Sequence, residues 1–280
     1  MDYHHHSLAE DIETMLNMTA SRRQSMRWLF AGAAALPMAG CGAGADSIAA
    51  TPTTTSTPTT SSPVTACAVI PEETGGPYPG DGTNSNTKGV ANALILAGIV
   101  RNDIRASVAG ASGVAAGIPM TIRLQLVNVS KSCASLAGAT VYLWHCDRDG
   151  QYSMYSSEVS GENYLRGVQE ADASGIVTFT TIFPGCYAGR MPHVHFEVYP
   201  SLAKSTVASN RIKTSQFGFP TATLAEAYTS TGYATSVRNL TSISYATDNV
   251  FSDGTSLQIA TVTGNVAAGY AASLTVGVSA

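Results

Sequence analysis

Apolar and polar positions alternate with a period of two through most of the chain after residue 90, the pattern of strands that lay one face on a core. Ile122, Leu124 and Leu126 alternate with Arg123 and Gln125, and Val141 and Leu143 alternate with Tyr142 and Trp144. Residues 176–183 are rich in β-branched and aromatic side chains. Phe196 and Val198 continue the strand of His193, and Leu274, Val276 and Val278 close the chain. Asp149-Gly150, Ser174-Gly175 and Pro184-Gly185 read as turns between these runs, and one helical stretch is expected around residues 223–228. Many short strands separated by turn signals predict an all-β fold: a β-sandwich of mainly antiparallel strands with long loops and little helix. The sequence carries no internal repeat and no phosphate-binding glycine loop.

Toward the N-terminus the alternation gives way to a different grammar. Residues 21–41 read SRRQSMRWLFAGAAALPMAGC, with a basic cluster of Arg22, Arg23 and Arg27 ahead of the short apolar run Trp28 to Leu36. That run is too short to span a bilayer and has the length of an export signal. The Arg-Arg pair predicts the twin-arginine route, which carries folded proteins. Met38-Ala39-Gly40-Cys41 has the form of a lipobox in which Cys41 is acylated and becomes the new N-terminus; a plain signal peptide with an incidental cysteine is the alternative. Asp2, Glu10, Asp11 and Glu13 put acidic charge where a signal wants basic charge, so residues 1–17 read as an over-extended gene start before Met18. His4, His5 and His6 then belong to that extension or to an affinity tag. Residues 51–65 hold eight Thr, three Ser, three Pro and one Val, which leaves nothing to offset the entropy of ordering. The expected organisation is a signal over residues 1–41, a tether over residues 42–66 and a folded domain over residues 67–280. A lipid on Cys41 is the only membrane attachment this predicts, and the expected location is the cell envelope or periplasm.

Composition narrows the partners. The 280 residues carry 15 Lys+Arg against 19 Asp+Glu, a net charge of −4, and only 12% of them are charged. Nucleic acid is excluded as a partner, because phosphate binding needs clustered basic residues. Cys67, Cys133, Cys146 and Cys186 remain beyond the signal and allow three disulfide pairings. Their positions favour Cys67–Cys133, which would staple the start of the domain, and a second bridge Cys146–Cys186 joining two turns.

The domain has three histidines, and two of them stand in Arg190-Met191-Pro192-His193-Val194-His195-Phe196. Residues i and i+2 of a strand share a face, so both imidazoles project to one side, as neighbouring metal ligands must. Tyr152 follows one predicted turn and Tyr187 another. A phenol with a pKa near 10 is a poor ligand for a divalent ion, whereas a hard trivalent ion favours the phenolate directly. Two Tyr with two His therefore point to Fe(III) rather than Zn or Cu.

Three stretches, WHCDRDGQYS (144–153), YLRGVQEADASGIVTFTTIFPGCY (164–187) and GRMPHVHFEV (189–198), resemble the intradiol ring-cleavage dioxygenases, the protocatechuate/catechol dioxygenase superfamily. The likeness runs from PEETGGPYPGDG (71–82) through TSQFGFP (214–220) to GYAASLTVGV (269–278), and is greatest for the exported single-chain branch. The resemblance implies a non-haem Fe(III) held by Tyr152, Tyr187, His193 and His195, a charge-stabilising Arg190 and a Gln216 beside the iron. It implies a small aromatic diol and O2 as substrates, with Tyr187 accepting a substrate proton. Gly75 stands where the family's motif has an acidic residue, and Cys186 where a bulky aromatic is common. Copper/zinc superoxide dismutase, another sandwich with a His-x-His strand, needs more histidines than this domain has. An envelope-tethered transthyretin-like or immunoglobulin-like binding module is the non-enzymatic alternative.

Overall fold

The alternating segments pair into sheets in the computed structural model, which describes residues 67–280. The expected signal, the lipobox with Cys41 and the tether lie outside the described residues. A hairpin of β1 (Asp81–Asn86) and β2 (Gly89–Asn92) comes first. It is followed by β3 (Pro119–Asn128), β4 (Ala134–Ser135), β5 (Thr140–Trp144), β6 (Arg166–Glu170) and β7 (Ile176–Ile182). Then come β8 (His193–Tyr199), β9 (Lys213–Gly218), β10 (Thr261–Asn265) and β11 (Gly269–Val278). One sheet has the order β10-β11-β3-β4, with β7 also paired to β3; the other has the order β6-β5-β8-β9. Only β11 and β3 run parallel among these paired strands. The sandwich expected from the alternation is present.

Ile122, Leu124 and Leu126 of β3 face Val141 and Leu143 of β5 and Val194, Phe196 and Val198 of β8 across one core. The alternation in β5 has a second meaning that periodicity alone did not carry. All five residues of β5 are buried, and all seven of β8. Tyr142 and Trp144 leave the first core only to enter another, packed with Ala93, Leu94, Ile99, Tyr152 and Tyr199. A layer built by the N-terminal arm and the loop after β5 therefore covers the outer face of the β6-β5-β8-β9 sheet. A strand covered on both sides needs apolar or satisfied polar residues at every position. The functional residues sit on this covered face.

Helix is sparse: α1 (Thr221–Ala227) lies over the predicted stretch, and α2 (Ala234–Leu240) was not anticipated. Its segment ATSVRNL has a single buried residue, Ser236, so no apolar stripe marks it. Ser174-Gly175 turns as expected, with Gly175 at φ 77°. Pro184-Gly185 does not turn. Gly185 instead lies against the chain at 147–148, where a Cβ would come within 2.5 Å of the Arg148 carbonyl oxygen.

The Cys67–Cys133 disulfide is formed, with a sequence separation of 66 residues. Closing a loop of that size stabilises a domain by about 4 kcal/mol in the chain-entropy account. The second expected bridge is absent: Cys146 and Cys186 are free and buried. The Cys146 thiol points to the Gly185 carbonyl at 3.5 Å and the Cys186 thiol to the Arg190 carbonyl at 3.5 Å. Each sulfur is thus committed to a different stretch of backbone.

Glu197 of β8 is buried, accepts a 2.6 Å hydrogen bond from Tyr199 Oη and lies 3.8 Å from Arg211 Nε. Burial, aided by the charge of Asp81, pushes its carboxyl up to about 8. A carboxyl raised on folding favours the fold in its protonated form, so its contribution is complete below the ordinary carboxylate range and lost as pH rises through about 8. Melting temperature is expected to fall between pH 5 and pH 8.5, and Glu197→Gln to flatten that fall. An undiminished fall in the Gln variant would show that Glu197 does not control it.

Candidate metal centre

One transverse row of the covered face explains much of the site. Register pairs Arg166 of β6 with Trp144 of β5, Trp144 with His195 of β8, and His195 with Gln216 of β9. Strands lie about 4.8 Å apart, so these four side chains stand side by side on one face. His193 shares the face two residues earlier on β8.

The His193 Nδ1 lies 2.6 Å from the Met191 carbonyl oxygen. That oxygen can only accept, so Nδ1 carries the proton and Nε2 presents a lone pair. The lone pair faces His195 Nε2 at 3.0 Å, Tyr152 Oη at 3.4 Å and Tyr187 Oη at 3.4 Å. The four side chains named from the sequence are brought together. His195 stacks on Trp144 with ring centroids 4.9 Å apart and planes 2° from parallel. From above, Gly76 at φ 70° brings the arm onto the His195 ring, where a Cβ would stand 3.3 Å from Cε1.

The two tyrosines reach the site on loops joined by close backbone packing instead of by the expected disulfide. Asp147 Oδ1 accepts from the amides of Asp149 and Gln151 at 3.0 and 2.9 Å, closing the turn that precedes Tyr152. Gly150 occupies the left-handed region at φ 84°, and a Cβ there would press within 3.0 Å of the Tyr187 Cβ. The Gly185 amide then donates to the Asp147 carbonyl at 3.0 Å.

Burial sets the protonation of the cluster. It holds both imidazoles well below the ordinary histidine range, with Arg190 adding to the effect, so both are neutral. It pushes Tyr187 up to about 12 and Tyr152 well above the usual phenol. His195 Nδ1 is buried and has no hydrogen-bond partner among the described residues. Two neutral imidazoles and two phenols crowded within 3.4 Å of one lone pair are arranged to share something other than a proton. No group of three His, Cys, Asp or Glu converges among the described residues, so a cation here depends on the phenols. That donor set fits a hard, strongly Lewis-acidic ion, which offsets the desolvation opposing a phenolate. A histidine ligand normally donates its other N–H to a carbonyl, as His193 does. His145 stays apart, its ring held between the Cys146 carbonyl at 2.8 Å and Thr181 Oγ1 at 2.7 Å.

Arg190 and Gln216 also join the site. Arg190 Nη2 donates to Gln216 Oε1 at 2.7 Å, and Gln216 Nε2 donates to the Thr74 carbonyl at 2.7 Å. Three further residues were missed from sequence. Trp144 backs His195. Arg166, wholly buried, binds the carbonyls of Tyr78 and Pro79 in the arm. Asp248 accepts Arg190 Nε at 3.0 Å. Its Oδ1 accepts the amides of Val250 and Phe251 just ahead of the short turn at 251–253, a local role that any Asp in a turn can fill and that gives no functional signal in sequence.

Residues 100–206 match the model of a family described as Dioxygenase, a stretch that contains Tyr152, Tyr187, Arg190, His193 and His195. The fold is similar to that of an intradiol ring-cleavage dioxygenase from Tetranychus urticae, with a TM-score of 0.58 and 24% identity over 76% of this chain and 95% of that one. A second solved dioxygenase aligns with a TM-score of 0.59, again at 24% identity over 76% and 95% of the two chains. At that identity the likeness establishes the sandwich, and the motif resemblance to intradiol dioxygenases agrees with the family match.

Proposed function

We propose that this chain, whose residues 100–206 match the model of a family described as Dioxygenase, cleaves a catechol-type ring between its two hydroxylated carbons. Both atoms of O2 would end in a cis,cis-muconate-type product. In this reading the chain is an oxidoreductase of the intradiol dioxygenase type, which the family match over residues 100–206 supports. The observation that carries the finer reading is the convergence of Tyr152, Tyr187 and His195 on the His193 lone pair.

In this reading Tyr152, Tyr187, His193 and His195 hold a ferric ion. When bound, that ion supplies Lewis acidity, drawing electron density from a catechol and making its ring susceptible to O2. The protein's own groups do the rest. Tyr187 Oη, once ionised, is a strong base placed to take a proton from a substrate hydroxyl. Arg190 spends Nε on Asp248 and Nη2 on Gln216, which leaves Nη1 without a partner among the described residues. That nitrogen is preorganised to donate to negative charge developing on the substrate, at no cost in reorganisation. The arm over His195 and the stacked Trp144 keep water from that side of the centre. The envelope location fits the Cys67–Cys133 bridge, which needs an oxidising compartment; the signal, tether and lipid on Cys41 complete that proposal.

The test is oxygen uptake by the iron-loaded chain against a panel of catechols. One O2 consumed per catechol, with a muconate chromophore appearing, is expected. A coloured, ferric protein that consumes no O2 with any member of the panel would overturn the activity. A protein that takes up no iron and shows no visible tyrosinate band would favour the binding module.

A further inference from the structure

We infer that Asp248 is a positioning residue of this reaction, setting the direction of the Arg190 guanidinium and, through Met191, the orientation of His193. The inference rests on the proposed ring cleavage for its consequence in turnover. Its geometric basis is separate.

Asp248 is fully buried, and both of its oxygens are filled by N–H donors. Oδ2 accepts Arg190 Nε at 3.0 Å and the Met191 amide at 2.7 Å. Oδ1 accepts the amides of Val250 at 2.8 Å and Phe251 at 3.1 Å. The second pair anchors the carboxylate to its own turn, so the first pair reports a fixed point. Met191 in turn offers its carbonyl to His193 Nδ1 at 2.6 Å. One carboxylate therefore reaches both a cation of the site and the residue that fixes a ligand's tautomer.

Arg190 shows why such a residue is required. It is only 5% exposed, and an unpaired guanidinium at that depth is strongly unfavourable. Gln216 offers a neutral oxygen that compensates the charge only in part. Asp248 supplies the counter-charge, and it does so at Nε, the nitrogen nearest the stem. With Nε and Nη2 both held, the planar group cannot rotate, and Nη1 has one direction left. The Phe251 ring, 6.0 Å from the guanidinium carbon, closes the face on that side. An arginine held only by Gln216 would keep its charge and lose its aim.

A carboxylate that merely held the amides of Val250 and Phe251 would have a different signature. Asp248→Asn keeps an acceptor for Val250 and Phe251 but cannot receive Arg190 Nε and Met191 N as an anion does. In the full iron-loaded chain, D248N is expected to bind catechol, followed by the change in the visible band, within about 3-fold of wild type. Its turnover number is expected to fall roughly 100-fold, the scale of losing one preorganised charge stabiliser. Arg190→Gln should give a loss of similar size, and the D248N/R190Q pair no more than about 3-fold beyond R190Q alone, because residues acting as a unit are not additive. The ferric visible band provides a readout independent of turnover: D248N and R190Q should shift it alike, and the pair no further. Should D248N not fold, D248E is measured in its place. Wild-type turnover in D248N, or losses and band shifts that simply multiply in the double variant, would overturn the inference. A wild-type protein without ring cleavage would instead overturn the proposed function and leave the band shifts to decide the role of Asp248.

Discussion

Tyr152→Phe is expected to erase the visible tyrosinate band and lower ring cleavage by more than about 1000-fold while leaving the iron-free domain as stable as before, or slightly more so. The reasoning starts from the cost of the residue. Its phenol is 2% exposed and meets only other members of the cluster, His193 Nε2 at a long 3.4 Å and the Tyr187 hydroxyl. A buried hydroxyl so poorly paired contributes little to folding, and exchange for hydrogen changes stability by about 1 kcal/mol at most. His195→Ala should behave likewise in iron binding, because it removes one of four donors. It should differ in stability. The ring is stacked on Trp144 and 2% exposed, so its loss opens a cavity and costs roughly 2–3 kcal/mol. The two variants together separate metal loss from fold loss. Iron content by mass spectrometry, the visible spectrum and thermal melting decide the matter. Full iron content with full activity in either variant would refute the ligand assignment.

These residues were legible because strand periodicity and ligand chemistry make local demands. His193 and His195 share a face through a spacing that any strand imposes, whereas Tyr152 and Tyr187 were singled out by the resemblance of the motifs that hold them, and of the two turns expected before them only the one at Asp149-Gly150 forms. What sequence could not convey was the depth of the sheet. Tyr142 and Trp144 look like the solvent side of a strand, and only the layer that covers them makes that face a second core. Asp248 was invisible for a related reason: its partners, Arg190 and Met191, lie 58 and 57 residues away. The pairing of Cys146 with Cys186 failed where proximity in the fold was mistaken for facing sulfurs. Both do lie on the tyrosine-bearing segments, but glycines at 150 and 185 bring those segments together so closely that the backbone itself makes the joint.

Arg166→Met is expected to cost the domain about 3–5 kcal/mol and to free the arm that lies over His195. Arg166 is 0% exposed, sits beside Trp144 in the row that carries the site, and has no carboxylate partner among the described residues. Its guanidinium is satisfied by oxygen dipoles alone. Nη1 donates to the Pro79 carbonyl at 2.8 Å and Tyr142 Oη at 3.0 Å, and Nη2 to the carbonyls of Tyr78 and Ser153, each at 3.0 Å. Nε donates to Ser153 Oγ at 3.1 Å. Methionine fills much of the stem's volume but takes the donor from the Tyr78 and Ser153 carbonyls, while the Pro79 carbonyl keeps Tyr142 Oη at 2.7 Å; a buried acceptor that loses its donor costs about 1–3 kcal/mol before relaxation. Water entering to solvate them must first lift residues 78–80, where Gly80 at φ 61° lets the arm sit directly on the guanidinium. For a domain of this size the loss corresponds to a fall of roughly 10–15 °C in melting temperature. Arg166→Lys keeps the charge but replaces the planar fork by a point donor, so an intermediate fall is expected. Limited proteolysis supplies the second measurement, because an arm released from Arg166 becomes a substrate for cleavage before the sheets do. A Met variant that melts within about 3 °C of wild type and resists protease equally would mean that the arm is held by its apolar contacts. In that case Tyr78 on Tyr152, with ring centroids 5.0 Å apart, would be the contact that keeps the cover over the metal centre.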